Sequence, residues 1–217
     1  MSLLSKIRVA NTQRCVEAEV YPCSHEDMVI WQRRIHAPYI APKGGIGSDW
    51  NWPALFLACQ FSEQALARQA IAFQIRVANA DGDAVPVAQA IFTLPYHWPA
   101  DPAQSCVFVW FIAATPVEAL RAYGIQDRFS VLAPLLDTAI QVSLSNGLGG
   151  RIGLHAAAGD SAAEGLALEQ KYRNCQLRQA SKNKGFFRFP FRRHDGRLFY
   201  FTDADAVAFA ARQGDLR

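Results

Sequence analysis

Apolar positions along the 217 residues follow two rhythms, and both meet in residues 106–177. The stretch opens with CVFVWFIAA, where nearly every position is apolar, the pattern of a strand covered on both faces. A turn region, YGIQDRFSVLAP, follows. Leu132, Leu136, Ile140 and Leu144 then recur every four residues, with Leu135, Ala139 and Val142 beside them, which predicts an amphipathic helix. Asn146 and Gly147 stop it, glycine supplying the left-handed residue that a helix C-terminus commonly needs. GRIGLHA is a second strand. After it, Ser161-Ala-Ala-Glu164 fits a capping box, so a second helix starts at Ala162 and ends in QKYRNCQL. Gly165 weakens that helix by about 1 kcal/mol relative to alanine. The whole is a βαβα unit.

Around this unit the pattern is mostly β. IRV and CVEAEVY alternate apolar and polar positions, predicting a first strand or hairpin within residues 7–21. SHEDMVIWQRRIH reads as a short helix, with Ser24 as N-cap and acids in the first turn. APYIAPKGGIGSDWNWP is rich in Pro, Gly and Ser and predicts a loop. Its KGGIGS lacks the Lys-Ser/Thr that follows in a Walker-type loop, and no strand precedes it. ALFLACQFSEQALAR, from Ala54 to Arg68, is helical, with Pro53 tolerated in the first turn. QAIAFQIRVANADGDAVPVAQAIFTLPYH holds two β-rich runs around Asp81-Gly82, a hairpin signal. With residues 106–114 these give three consecutive antiparallel strands, WPADPAQ forming a Pro-rich loop between the last two. LFYFTDADAVAFAARQG adds a strand and a helix capped at Thr202.

A crossover between strands of one sheet sets the helix N-terminus at the carboxyl end of the first strand. Pro134 lacks an amide hydrogen and fits only near a helix start, so the helix begins around Val131 to Ala133. Amides of residues 128–133 are then candidate anion donors, although an empty loop of the same shape reads identically. At these residues the chain resembles the GNAT superfamily of acyl-CoA-dependent N-acyltransferases. The family's pyrophosphate loop (Gln or Arg, two residues, Gly, one residue, Gly or Ala) falls on residues 128–133. Arg128 and Ala133 match it. Val131 stands at the central Gly, where a β-branched residue holds backbone away from phosphate. KYRNCQL is similar to the family's tyrosine-bearing ending, which places Tyr172 on the general acid that many members use toward the CoA thiolate. Gln176 and Leu177 stand where Gly-Phe is usual.

The resemblance implies an α+β fold over residues 1–217 as one domain, with a mixed, mainly antiparallel central sheet and helices on both faces. Residues 1–50 would supply an N-terminal strand, a helix and the acceptor-side loop. It implies transfer of an acetyl or other acyl group from acyl-CoA, as co-substrate, to a small-molecule or macromolecular amine. Backbone of residues 107–114, Phe111, Ile112 and Ala113 among them, would pair with the pantetheine arm where the central strands diverge. Arg128, Ser130, Val131 and Ala133 would hold the pyrophosphate. Tyr172 would protonate the departing sulfur, and His155, exposed by a splayed bulge at the end of the second strand, would act as a water-linked base.

Plainer readings stand beside these. Tyr172 can be a packed helix residue, and His155 an ordinary hydrogen-bonded histidine. Trp50 and Trp52 either belong to the acceptor-side loop or pin it to the core. The departures at Val131, Gln176 and Leu177 also suit a non-catalytic binding or regulatory module. A homodimer is compatible with all of this.

Composition narrows the classes. At 51% hydrophobic and 19% charged, the chain can bury a full core. No run of eighteen apolar residues occurs, which excludes a transmembrane helix, and the N-terminus lacks a secretory pattern. Cysteines at 15, 23, 59, 106 and 175 form neither a disulfide framework nor a CxxC pattern; reduced thiols in a cytoplasmic protein are expected. Five histidines without an HExxH or a close pair predict no metal site. The net charge of +3 names no partner by itself. Yet from Lys171 to Arg197 nine basic residues face one acid, with Phe186, Phe187, Phe189 and Phe191 interleaved. This is either a nucleic-acid surface or a strand whose phenylalanines enter the core while Arg188 and Arg192 face water. The alternation favours the strand; contact of these cations with CoA phosphates is a third option.

Overall fold

The computed structural model describes residues 3–65, 68–181 and 196–217. The basic aromatic segment from residue 182 to 195, with its four phenylalanines and Arg188, Arg192 and Arg193, lies outside the described residues.

The strands are β1 (Lys6–Arg8), β2 (Cys15–Glu17), β3 (Glu19–Pro22), β4 (Gln69–Ala78), β5 (Ala84–Trp98), β6 (Asp101–Ala114), β7 (Ile152–His155), β8 (Arg178–Gln179) and β9 (Leu198–Phe201). β1 and β2 form a separate ribbon; the others form a seven-stranded sheet in the order β3-β4-β5-β6-β7-β9-β8. Every pairing in that sheet is antiparallel except β6 with β7. The helices are α1 (His25–Trp31), α2 (Trp52–Ala65), α3 (Val117–Ala122), α4 (Leu132–Ser145), α5 (Ala162–Asn174) and α6 (Asp203–Ala211). Helix α4 is the crossover between the two parallel strands. This is the expected α+β class, a mixed, mainly antiparallel sheet.

Two buried clusters show how the sheet is covered. On one face, α4, α6 and Tyr172 of α5 close over Val107, Val109, Leu154 and Phe199. On the other, α1 and α2 bring Met28, Trp31, Trp52 and Phe56 onto Phe108, Trp110 and Phe111. The first cluster is mostly aliphatic, whereas the second holds a chain of edge-on rings, Trp31 to Trp52 at 6.2 Å and Trp52 to Trp50 at 5.6 Å.

Local chemistry fixes several ends as expected. Ser24 and Asp27 cap α1 reciprocally, and Thr202 and Asp205 do the same for α6. Ser161 accepts from the Glu164 amide, but the Glu164 carboxylate returns to the Asp160 amide, one residue further out. Gly165 has a packing reason: a Cβ there would sit 2.5 Å from the Ala158 carbonyl oxygen. The loop after β7 can therefore lie directly on α5.

Three expectations are corrected, and one helix, α3, is additional. WPADPAQ is no open loop, because β5 and β6 extend to a tight turn at Pro99 and Ala100, with His97 Nδ1 2.9 Å from the Pro102 carbonyl oxygen. The predicted loop after α1 begins late, since wide helical turns run through Gln32–Ile40 and accommodate Pro38, a residue with no amide to donate. Helix α3 precedes what reads as the turn region. Finally, Leu144 is exposed: residues four apart drift by roughly 40° per step around a helix, so the buried stripe of α4 runs through Leu135, Leu136, Ala139, Ile140 and Val142. That stripe also carries Asp137, fully buried and gripped by Arg217 at 2.7 and 2.9 Å. Burial pushes the Asp137 carboxyl up to about 6, with Arg217 pulling the other way.

Candidate functional site

Strands β6 and β7 are paired only from Val107–Ile152 to Val109–Leu154, and then part. A bulge begins where they part. Ile91 of β5 faces Phe111 and Phe92 faces Val109, so Trp110 is an extra residue in β6. Trp110 and Phe111 consequently both enter the aromatic cluster, and Ile112 turns to the opposite face. β6 runs on to Ala114 while β7 ends at His155, which leaves the inner edge of β6 without a strand partner among the described residues.

The gap opens into a cavity of ≈180 Å³ whose lining includes Ile112, Val131, Leu132, His155, Lys171 and Tyr172. Two predicted catalytic residues thus share one cavity. His155 is half-buried, opposite Leu198 of β9. Tyr172 is buried, its ring edge-on to Phe199 at 5.5 Å. Lys171 and His155 are the ionisable side chains on the wall besides the tyrosine, and among the described residues no carboxylate lines it.

Tyr172 is held by the end of its own helix. The Leu177 amide donates to the Tyr172 carbonyl at 3.1 Å and the Gln176 amide to Arg173 at 2.8 Å, the two bonds of a Schellman motif. That motif needs a left-handed residue, and Gln176 takes φ +68°. Leu177 is buried in the same cluster as Tyr172. The departure from Gly-Phe therefore keeps the geometry, at a cost of about 1–2 kcal/mol for a side chain in left-handed backbone.

The predicted phosphate loop is narrower than expected. The Ser130 amide donates to the Arg8 carbonyl at 3.0 Å, and the Arg128 carbonyl accepts from Ala10 at 2.7 Å, so the ribbon occupies this part of the loop. Arg128 and Ser130 are exposed. The first bond of α4 runs from Leu135 to the Val131 carbonyl, and Val131, the N-cap, supplies no side-chain cap. Amides of Val131, Leu132 and Ala133 are left without intrahelical partners. Of the three predicted β6 residues, Ile112 lines the cavity, Ala113 lines a neighbouring one, and Phe111 packs edge-on against Trp50 at 4.9 Å.

The neighbouring cavity, ≈240 Å³, shares Ile46, Trp50, Ile112 and Ala114 with the first and adds His36, Tyr39 and Lys43. Residues 43–50 form a strap between the two. Lys43 binds Glu118 at 2.8 Å and the Gly45 amide donates to Asp160 at 2.8 Å. A relay holds the strap from below. The Trp52 amide donates to Gln32 Oε1 at 3.0 Å, the Gln32 amide nitrogen lies 3.1 Å from His36 Nδ1, and His36 Nε2 lies 2.8 Å from the Gly47 carbonyl. With Gln32 Oε1 accepting, its nitrogen donates to Nδ1, which assigns the donor toward the Gly47 carbonyl to His36 Nε2. Gly47 takes φ +82°, and a Cβ there would touch the Trp50 ring at 3.0 Å. The two readings of the tryptophans divide: Trp52 is core, whereas Trp50 walls both cavities. Ile46, Leu168 and the strap's anchors are site residues that the sequence reading missed: Leu168 lies one turn before Tyr172 on α5, and long-range bonds bring the strap here.

Burial raises the thiols of Cys23, Cys106 and Cys175, so they remain protonated near neutrality, and none lines either cavity. Among the described residues there is no group of three or more His, Cys, Asp or Glu side chains that could hold a metal. Likewise no described helix is long and apolar enough to cross a membrane.

No family model matches the chain, and no curated protein matches it. Solved structures do. A chimera of the spermidine N-acetyltransferase SpeG from Vibrio cholerae and hSSAT is 13% identical, covering 88% of this chain and 98% of its own, with a TM-score of 0.46. A point mutant of the AtaT toxin, bound to the C-terminus of the antitoxin AtaR and acetyl-CoA, is 9% identical over 88% of this chain and 98% of its own, at a TM-score of 0.44. A chain of the KacTA–DNA complex is 8% identical over 73% and 84%, at 0.42.

Proposed function

We propose that this chain transfers an acyl group from acetyl-CoA, or another acyl-CoA, to an amine acceptor. The observation that carries the reading is the parting of β6 from β7 into a cavity that contains the uncapped start of α4 on one wall and His155 and Tyr172 on the other. An extended pantetheine arm can add to the open edge of β6 as a strand would, through main-chain hydrogen bonds. Amides of Val131, Leu132 and Ala133, with the helix dipole behind them, suit the pyrophosphate. A wall with Lys171 and no described carboxylate suits an anionic co-substrate. Val131, at the centre of this cradle, lines the same cavity.

That placement suits direct transfer. The acceptor amine attacks the thioester carbonyl carbon, forming the C–N bond, and a backbone amide of the open part of β6 stabilises the oxyanion. The carbonyl reforms as the C–S bond breaks, and the thiolate takes the Tyr172 phenolic proton. The surplus proton of the amine passes through water to His155, whose place at the strand end is within the same cavity. The neighbouring cavity beyond the strap, walled by Trp50 and Ile112, is the entrance for the acceptor, whether a small molecule or a group on a macromolecule.

Thermal unfolding with acetyl-CoA tests the reading. Ligand at about a hundred times its dissociation constant adds roughly 2.7 kcal/mol, a rise of roughly 5 to 11 °C for a chain this size. No rise with any acyl-CoA would remove it.

A further inference from the structure

His155 and Tyr172 line one cavity but belong to different elements, the end of β7 and the last turn of α5. Main-chain ladders fix β7 against β6 and β9. A helix makes no such ladder with a strand, so side chains must set its distance. Arg197, the half-buried residue just before β9, touches both sides. Its carbonyl accepts from the Ala156 amide at 2.9 Å, directly after His155. Its Nη2 donates to the Ala157 carbonyl at 2.6 Å, and Ala157 lines the cavity. Its Nε lies 3.1 Å from Glu169 Oε1 on α5, one turn before Tyr172. One guanidinium therefore spans the chain that leaves His155 and the helix that carries Tyr172.

The neighbouring residues suit this span. Gly165, one turn before Glu169, leaves room for the guanidinium, since a Cβ there would sit 2.7 Å from Arg197 Nη2. Glu169 is buried and also binds Arg173 at 2.9 Å. Arg173 continues to Gln179 Oε1 at 2.9 Å, and Gln179 Nε2 donates to the Gly196 carbonyl at 2.8 Å, next to Arg197. The network thus closes on itself across α5, β8 and the start of β9. A buried ion pair is often no more stabilising than apolar packing of the same volume, so stability alone does not account for it. We propose that Arg197 is a positioning residue of the acyl-transfer site, an inference that rests on the function proposed above. It sets the distance between His155 and the Tyr172 phenol, and with it the contact of Tyr172 with the co-substrate sulfur. Lysine cannot replace it, because a single ammonium lacks the planar fork that meets the Ala157 carbonyl and Glu169 together.

The contact is read by binding and needs no acceptor. CoA and desulfo-CoA, in which hydrogen replaces the thiol, are titrated into the full chain by calorimetry at about pH 8.5, the range in which thiols ionise. The wild type is expected to bind CoA at least about threefold more tightly than desulfo-CoA, and Tyr172→Phe to abolish that preference. Arg197→Gln and Arg197→Lys should abolish it as well, with the affinity for desulfo-CoA kept within about twofold of the wild type. Arg197→Lys keeps a cation beside Glu169 and carries the test if Arg197→Gln does not fold. Equal weakening of both ligands would mark a merely structural role and overturn the proposal. So would a preference that is absent from the wild type, that Tyr172→Phe leaves intact, or that survives the Arg197 substitutions. Binding of neither ligand to the wild type would instead remove the acyl-CoA reading, and this inference with it.

Discussion

One strand, β6, shows two fates of an apolar run. From Val107 to Val109 it is paired on both sides and covered on both faces, with Val107 and Val109 under α4 and Phe108 under α1 and α2. From Trp110 to Ala114 the composition hardly changes, but the ladder with β7 has ended and burial falls away toward Ala114. The first half stabilises the fold. The second runs on beside the cavity after β7 has ended. The difference comes from a single inserted residue at Trp110 and from the short length of β7, rather than from any change in side-chain chemistry.

Substitutions can break this contrast or sharpen it. The largest effect is expected in the open half's cavity: Tyr172→Phe should lower turnover by about 10²–10⁴ while acetyl-CoA still raises the melting temperature. Steady-state thiol release, run beside the melting curve, separates the two. In the closed half, Phe108→Ala should cost about 3–5 kcal/mol in denaturant unfolding. Ile112→Ala, in the open half, should cost about 1 kcal/mol but weaken acetyl-CoA by about tenfold; equal effects at both positions would erase the contrast.

Helix α4 spans the two regimes, from its open N-terminus to the buried Asp137. The Asp137 carboxyl is raised from 3.8 to about 6 in the fold, so the folded chain binds the extra proton. Its contribution is fully present below the unfolded value and is lost as pH rises through about 6. Asp137→Asn should therefore remove a stability loss of up to about 3 kcal/mol across that window, read as a flatter dependence of unfolding free energy on pH. The smallest effect is at the Schellman turn that positions Tyr172. Gln176→Gly should stabilise by about 1 kcal/mol and leave activity intact, as melting curves and turnover would show.

Legibility followed the range of the forces involved. Helix α4, the capped starts of α5 and α6, the Asp81-Gly82 hairpin and the strand before His155 could all be read, because caps, turns and periodicity act within a few residues. The co-location of His155 and Tyr172 was what the resemblance implied. The narrowing of the phosphate loop did not, since Ser130 is paired with Arg8, more than a hundred residues away in the chain. The strap is similar. KGGIGS reads as a flexible loop, and only its bonds to Glu118, Asp160 and His36 make it the partition between two cavities. Trp110 looks like any other residue of an apolar run, and its bulge is visible only in the register with β5.

The central claim is that the part of β6 that runs on beyond β7, together with the start of α4, receives the co-substrate. Amide hydrogen exchange with and without acetyl-CoA addresses it residue by residue. The account predicts slowed exchange in residues 110–114 and 131–133, with β4 unchanged. Binding of acetyl-CoA that leaves both stretches unprotected would contradict it.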